Sequence, residues 1–220
     1  MTDWDAVNKG KQELRVKEAA RPYDEKLDVS ATINFWMSQP QANRAQAVEK
    51  VLLILQEAQQ RGVIGDFAIG GSVGIMFYCE PITTRDIDFF VTIAVQGRVF
   101  DLSKLYELFA THGYNQFDGQ HLVVMGEKFE FLGGDEPIAQ DGWSEIREAA
   151  FRSTRARVLP LETILAQKLN AGRPRDLAHL GLVFGDFAEK VDKPKFLSIV
   201  QRFGLMEKWK RFAQFHGIAF

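Results

Sequence analysis

The sequence predicts an α/β domain: a small mixed β-sheet flanked by helices, with a helical C-terminal region. Three observations predict it. A helix-periodic segment over 41–61 runs into the apolar strand pattern Phe67-Ala68-Ile69. A glycine turn and a short helical stretch then deliver a second strand carrying Asp86-Ile87-Asp88. A hairpin pattern follows over 121–132, and from Pro160 onward the periodicity is that of helices.

In order, residues 1–44 read as a helical N-terminal arm, 45–158 as the core and 159–220 as the helical region. In the arm, Lys9–Glu18 is charged and helix-prone, Arg21-Pro22 breaks it, and Asp24 caps a second helix through Trp36. Leu27, Ala31 and Phe35 line one face of that helix, while Val29 and Ile33 keep a strand reading of the same stretch open. Ser38-Gln39-Pro40 ends the element either way. In the first core helix Ala47, Val48, Val51, Leu52, Leu55 and Ala58 recur at three and four, and Gly62 stops it. The second strand runs from Asp86 to Ala94. Leu102–His112 reads as an amphipathic helix with Leu105, Leu108 and Phe109 inward. His121–Met125 and Lys128–Leu132, about a turn at Gly126-Glu127, read as a hairpin in which Glu130 faces away from Phe129 and Phe131. Gly133–Arg152 reads as loop and then polar chain. Pro160 opens a helix burying Leu161, Ile164, Leu165 and Leu169; Gly172 ends it and Pro174 starts the next, which runs to about Glu189. After a break over 191–194, helices are expected over Lys195–Phe203 and Met206–Phe215.

Composition bounds the class. At 220 residues, 46% apolar and 12% aromatic, the chain can bury a sizeable core. A net charge of −2 gives no global pull toward nucleic acid or membrane, so any basic surface is local. A lone cysteine, Cys79, leaves no disulfide framework and suits a reducing cytosol. The N-terminal stretch MTDWDAVNKGKQ lacks the pattern of a secretory leader, and no apolar run reaches the ~18 residues that span a bilayer. A soluble, cytoplasmic protein is expected. His112, His121, His179 and His216 show no ligand spacing, which argues against a zinc site.

The chemistry concentrates between Phe67 and Val91, FAIGGSVGIMFYCEPITTRDIDFFV. Side chains alternate along a strand, so Asp86 and Asp88 share a face roughly 6–7 Å apart, close enough to hold a divalent cation together. Gly70 and Gly71 let backbone approach a ligand, and Ser72, opening a short helix, offers a hydroxyl and N–H groups to a phosphate. The plainer account is a tight strand–helix turn followed by two solvated aspartates. Against it, aspartate is disfavoured in strands and Ile87, Phe89 and Phe90 make this strand otherwise apolar.

A GGS turn followed by a D-x-D strand resembles the signature of the polymerase-β-like nucleotidyltransferase superfamily, and the likeness extends over about residues 45–215. The string K-L-N-A-G-R-P-R-D at 168–176 resembles the K-x-x-A…R-x-[KR]-D segment of AbiE-type and MenT-type toxin nucleotidyltransferases. The resemblance implies transfer of a nucleoside monophosphate from an NTP to an acceptor, with release of pyrophosphate. It implies Mg²⁺ (or Mn²⁺) on Asp86, Asp88 and Glu130, with Glu130 standing where aspartate is commoner in the family. Gly70, Gly71, Ser72, Lys168 and Arg173 would bind the nucleotide phosphates, with Arg175 as an auxiliary. Asp86, Asp88, Glu130 and Asp176 would be catalytic, Glu130 or Asp176 positioning or deprotonating the acceptor hydroxyl. The implied acceptor is tRNA or another RNA, with protein the second choice, in a bacterial toxin–antitoxin system with no membrane partner. The arm resembles short helical proteins of the type K-x-x-L-R…A-x-x-P-x-x-x-K-L found beside such toxins, so a fused regulatory or antitoxin-like element stands beside a simple packing arm.

Each residue also has a plainer account. Lys168 in a last helical turn and Asp176 in a first turn each complement a helix dipole, worth about 0.3–1 kcal/mol. Glu130 could pair with Lys128. Arg152, Arg155 and Arg157 either bind triphosphate or an RNA backbone, or guard a strand edge. Two rival functions stay open: a catalytically degenerate nucleotide- or partner-binding module, and an interaction protein in which arm and core form a regulatory pair.

Overall fold

The computed structural model describes residues 43–79, 82, 84–93 and 101–218; the N-terminal arm expected over 1–44 falls almost wholly outside them, as do Pro81, Ala94 and the chain to 100. Among the described residues the elements are α1 (Asn43–Gln60), β1 (Ile64–Ile69), α2 (Gly71–Met76), β2 (Ile87–Ile93), α3 (Ser103–Thr111), β3 (Phe117–Asp118), β4 (His121–Val124), β5 (Glu127–Gly133), α4 (Pro137–Gly142), β6 (Arg147–Phe151), β7 (Thr154–Val158), α5 (Leu161–Ala171), α6 (Pro174–Asp186), α7 (Lys193–Arg202) and α8 (Met206–His216). The strands form one seven-stranded mixed sheet in the order β3-β4-β5-β2-β1-β7-β6. The fold class is the α/β arrangement expected. No described helix is long and apolar enough to cross a membrane.

Register decides what the sheet presents. β2 lies antiparallel to β1 and parallel to β5, with Ile87 opposite Phe129, Asp88 opposite Glu130 and Phe89 opposite Phe131. Phe89, Phe129 and Phe131 share the face toward α3, where Phe131 meets Phe109 at 5.3 Å and Tyr106 at 6.0 Å between ring centroids. Alternation therefore turns Asp88 and Glu130 to the other face, toward α2 and α5. α5 is buried nearly all round, through Leu161, Ile164, Leu165, Ala166 and Leu169, and packs against α2, α4, α6, α7 and α8. A helix with no solvent face can carry a polar group only where a partner waits for it. Glu162 accepts from the Asp192 N–H at 2.9 Å, and Lys168 is taken up by the site below.

Two expectations change. The stretch over 133–152 is not loop throughout. The Glu136 side chain caps α4 by accepting from the Ala139 N–H at 2.9 Å, Pro137 pre-sets its first turn, and β6 follows. β6 and β7 make an antiparallel hairpin about Arg152-Ser153, with β7 inside the sheet beside β1. The arginines of this stretch meet carboxylates: Arg152 with Glu49, Arg155 with Glu148, and Arg157 with Asp66. The basic segment is thus neutralised within the fold. The second change is the β4–β5 turn, which falls on Met125-Gly126 rather than Gly126-Glu127. Both residues take positive φ, 52° and 85°, as a two-residue primed turn demands. Glu127 consequently joins β5, where its buried carboxylate takes the Arg44 Nε at 2.7 Å.

The helical C-terminal region closes on aromatic rings. Trp209 of α8 lies 4.8 Å from Phe184 of α6, 4.9 Å from Phe196 of α7 and 5.6 Å from Phe212, centroid to centroid. Truncating it removes the common partner of three helices, so Trp209→Ala should lower unfolding free energy by roughly 3–5 kcal/mol. Urea denaturation followed by circular dichroism measures this. A loss below about 1 kcal/mol would show that the cluster does not tie the helices together.

Candidate functional site

The site forms where the acidic face of β2 and β5 meets the start of α2 and the end of α5. Gly70 donates its N–H to the Asp88 carbonyl at 3.0 Å, so the chain turns into α2 directly against β2. At the next residue φ is +55°, and a β-carbon there would stand 1.7 Å from the Asp88 carboxylate. A side chain at this position would meet both backbone strain and the carboxylate itself. The glycine pair is therefore a requirement of Asp88's position. At Gly70 the crowding comes from the Phe90 ring, 2.4 Å from a hypothetical β-carbon.

The carboxylates gather as the alternation predicts. Asp88 is paired across the strands with Glu130, and Asp86 precedes β2 on the same side, where Thr84 donates its hydroxyl to Asp86 Oδ1 at 3.1 Å. Burial, then the neighbouring charges of Asp86 and Glu130, raise Asp88 from the ordinary 3.8 to about 7. The positive charges of Lys168 and Arg173 oppose that rise without cancelling it.

Facing them is a second cluster on α2, α5 and α6. Lys168 Nζ donates to Ser72 Oγ at 3.2 Å and to Asp176 Oδ1 at 3.0 Å, all three residues buried. The far side of the Asp176 carboxylate receives Arg173 Nε at 2.6 Å. Burial pushes Asp176 up, but the Arg173 hydrogen bond and the Lys168 charge outweigh it and hold the carboxyl below its usual range. Gly172 in the left-handed region ends α5, and Pro174 starts α6 at once; that tight corner brings Arg173 and Asp176 back over Lys168.

Two histidines that sequence spacing passed over belong here. His179 lies one turn after Asp176 on α6 and its Nδ1 stands 3.1 Å from Ser72 Oγ. Burial, then the charges of Lys168 and Arg175, lower it to about 4, so at neutral pH it is an uncharged hydrogen-bonding partner of the Ser72 hydroxyl. His121 comes from β4, and its Nε2 lies 3.8 Å from Asp86 Oδ2 and 3.9 Å from Glu130 Oε2. Asp86, His121 and Glu130 each offer a ligand atom within 4.8 Å of the other two, a donor set that fits a divalent cation without naming which.

Every site residue expected from the sequence thus lies in one of two adjoining clusters: Asp86, Asp88 and Glu130 in the acidic one, Ser72, Lys168, Arg173 and Asp176 in the other. Gly70 and Gly71 form the seam. His179 was legible only as the i+3 neighbour of Asp176 on one helix face, and His121 only through the hairpin's register.

The raised Asp88 sets a pH dependence. Between 3.8 and about 7 the folded chain keeps a proton that the unfolded chain has released, so this group's contribution to stability falls as pH rises through that window. Asp88→Asn removes the effect. In metal-free protein its stability advantage over wild type should grow from about pH 4 to about pH 7 and level off at roughly 1–4 kcal/mol; a flat difference across that range would refute it. Gly71→Ala should lower the thermal midpoint, by the equivalent of about 1–3 kcal/mol, and displace Asp88. Retention of wild-type stability by that variant would show that the close approach is dispensable.

No protein-family model and no curated protein matches the chain. Among solved structures, one neighbour is the crystal structure of an antigenic nucleotidyltransferase-like protein from Paracoccidioides brasiliensis. It has a TM-score of 0.46 and 13% identity, over 79% of this chain and 93% of that one. A likeness at that score carries no inference about chemistry, which rests on the side chains above.

Proposed function

We propose that the protein is a divalent-cation-dependent nucleotidyltransferase that moves a nucleoside monophosphate from an NTP to an acceptor hydroxyl. The observation that carries the reading is the pairing of opposites across Gly71: three carboxylates on one sheet face against a buried Lys168–Ser72 cluster. Phosphoryl chemistry needs both halves, one to hold a cation and one to receive phosphate oxygens.

In this reading the acceptor oxygen attacks the α-phosphorus, the bond from that phosphorus to the bridging oxygen breaks, and pyrophosphate leaves with the electron pair. A cation on the acidic face (Mg²⁺, or Mn²⁺) supplies Lewis-acid polarisation of the phosphate. Lys168 spends two of its three N–H directions on Ser72 and Asp176 and turns the third to the phosphates. Asp176 orients Lys168 and Arg173 rather than taking a proton, because both cations hold it ionised. Glu130, half-buried beside Asp88, would orient the acceptor hydroxyl or take its proton. His179, kept neutral, holds the Ser72 hydroxyl beside Lys168 without adding a second positive charge there.

The acceptor we favour is an RNA end, tRNA above all, with the activity serving as the toxin of a toxin–antitoxin pair in the cytoplasm. That part rests on the 168–176 string and its likeness to AbiE-type and MenT-type proteins.

The test is label transfer from each of four α-³²P NTPs, with Mg²⁺ or Mn²⁺, to total RNA and to total protein. The expected outcome is label in one macromolecular class, reduced at least about 100-fold by Asp86→Asn and by Lys168→Ala. Nucleotide binding by calorimetry with no transfer under any cation would instead make the protein a degenerate nucleotide-binding module. Label in protein would keep the transferase and overturn the RNA acceptor.

A further inference from the structure

We propose that His121 Nε2 is a metal ligand, completing with Asp86 and Glu130 a one-histidine, two-carboxylate cation site, and that this nitrogen makes the site favour Mn²⁺ or another first-row transition cation over Mg²⁺. The inference deepens the transferase reading, on which it rests for the cation's role.

The argument lies in which atoms are already engaged. His121 Nδ1 stands 3.2 Å from the Asp118 carbonyl, which can only accept, so Nδ1 is the nitrogen engaged by the chain and Nε2 is the one turned to the carboxylates. Glu130 Oε1 receives the Gln120 amide at 2.6 Å, leaving Oε2 turned to His121. Asp86 Oδ1 receives the Thr84 hydroxyl at 3.1 Å, leaving Oδ2 turned to His121. Each of the three ligands is therefore held at its far atom by a partner on the chain, and the three near atoms converge. This is the outer-shell arrangement that orients metal ligands, in which a histidine gives its second N–H to a carbonyl.

The separations support a cation over an ion pair. His121 Nε2 stands 3.8 Å from Asp86 Oδ2 and 3.9 Å from Glu130 Oε2, separations that suit a shared ion rather than a direct hydrogen bond to either. Donors each about 2.1 Å from a shared ion stand about 3–4 Å apart. Asp88 is not one of the converging donors, since its carboxylate lies against Gly71 on the α2 side. The site is thus displaced along the sheet from a pure D-x-D pair, toward β4. Its donor set also bears on selectivity. Mg²⁺ dehydrates reluctantly and takes oxygen, while imidazole suits the later divalent ions.

The strand register explains why the residue is there at all. Leu122 faces Phe129 and Val123 faces Lys128, so His121 falls opposite Glu130 on the same sheet face. Glu130 in turn faces Asp88. One row across β4, β5 and β2 reads His121, Glu130, Asp88.

The test uses the full chain with Mn²⁺ alone, without nucleotide. Electron spin-echo modulation of bound Mn²⁺ should show nitrogen coupling in wild type and in Asp88→Asn, and none in His121→Ala. By titration, Mn²⁺ affinity should fall at least about tenfold in His121→Ala, and by about 10–100-fold in Gln120→Ala, which touches only the outer shell. Mg²⁺ should displace Mn²⁺ from wild type only in excess, and the excess needed should shrink in His121→Ala. Circular dichroism melts of both variants keep a folding defect from passing as a lost ligand. Absence of nitrogen coupling in wild type, or equal Mn²⁺ binding by folded His121→Ala, overturns the proposal. Because binding is read without turnover, failure of nucleotidyl transfer leaves this result standing, and Mg²⁺-supported transfer with no nitrogen coupling sinks this inference alone.

Discussion

The parallel pairing of β2 with β5 is the interaction on which the site depends. It sets Asp88 directly opposite Glu130 and, by the same register, seats Phe89 against Phe131 on the reverse face. The two consequences cannot be separated. A slip of one residue in either strand would drive its carboxylate into the layer occupied by Phe109 and Tyr106 and turn its phenylalanine to the face of α2 and α5. The apolar face therefore enforces the geometry of the polar one, and the aromatic packing holds two like charges side by side.

That enforcement has a cost. Like charges directly opposite on a sheet repel, and here a third carboxylate stands near them. Burial first, and then the charges of Asp86 and Glu130, raise Asp88, so a proton there relieves part of the strain. The positive charges of Lys168 and Arg173, delivered by the α5–α6 corner, relieve another part. A cation would relieve the rest. Stability and ligand binding are then linked through one group of atoms: whatever binds the acidic face stabilises the fold by mass action.

Much of this was legible in the chain, and the misses share a cause. Asp86, Asp88 and Glu130 were found by alternation, which needs only local pattern. Lys168 and Asp176 were singled out by the resemblance of the 168–176 string, and the structure sets the two 3.0 Å apart. His121 was missed because its place depends on the turn. With the turn at Gly126-Glu127, Val123 would sit opposite Glu130; with it at Met125-Gly126, His121 does. Moving the turn by one residue moves every cross-strand partner by two. In the structure Met125 takes a positive φ, uncommon for a side-chain-bearing residue, and Glu127, drawn into β5, pairs with Arg44. The β6–β7 hairpin was hidden for a related reason: Arg152, Arg155 and Arg157 read as charge seeking a ligand, when their carboxylate partners lie far away in sequence on α1, β1 and β6.

The division of labour between the two clusters follows from burial. Lys168 emerges from a helix with almost no solvent face, and a buried ammonium persists only with its donors satisfied. Asp176 and Ser72 provide that, and Arg173 keeps Asp176 ionised from outside. His179 is the element that makes the arrangement directional. Were it charged, Ser72 would face two cations, Lys168 and the imidazolium, and its hydroxyl hydrogen would have no acceptor there. Neutral, it stands 3.1 Å from Ser72 Oγ without bringing a second charge beside Lys168. The acidic cluster is built the opposite way, half-buried and open, with its ligand atoms turned to one point. One cluster holds a fixed positive charge among partners on the chain, and the other leaves its carboxylates open to a charge from outside.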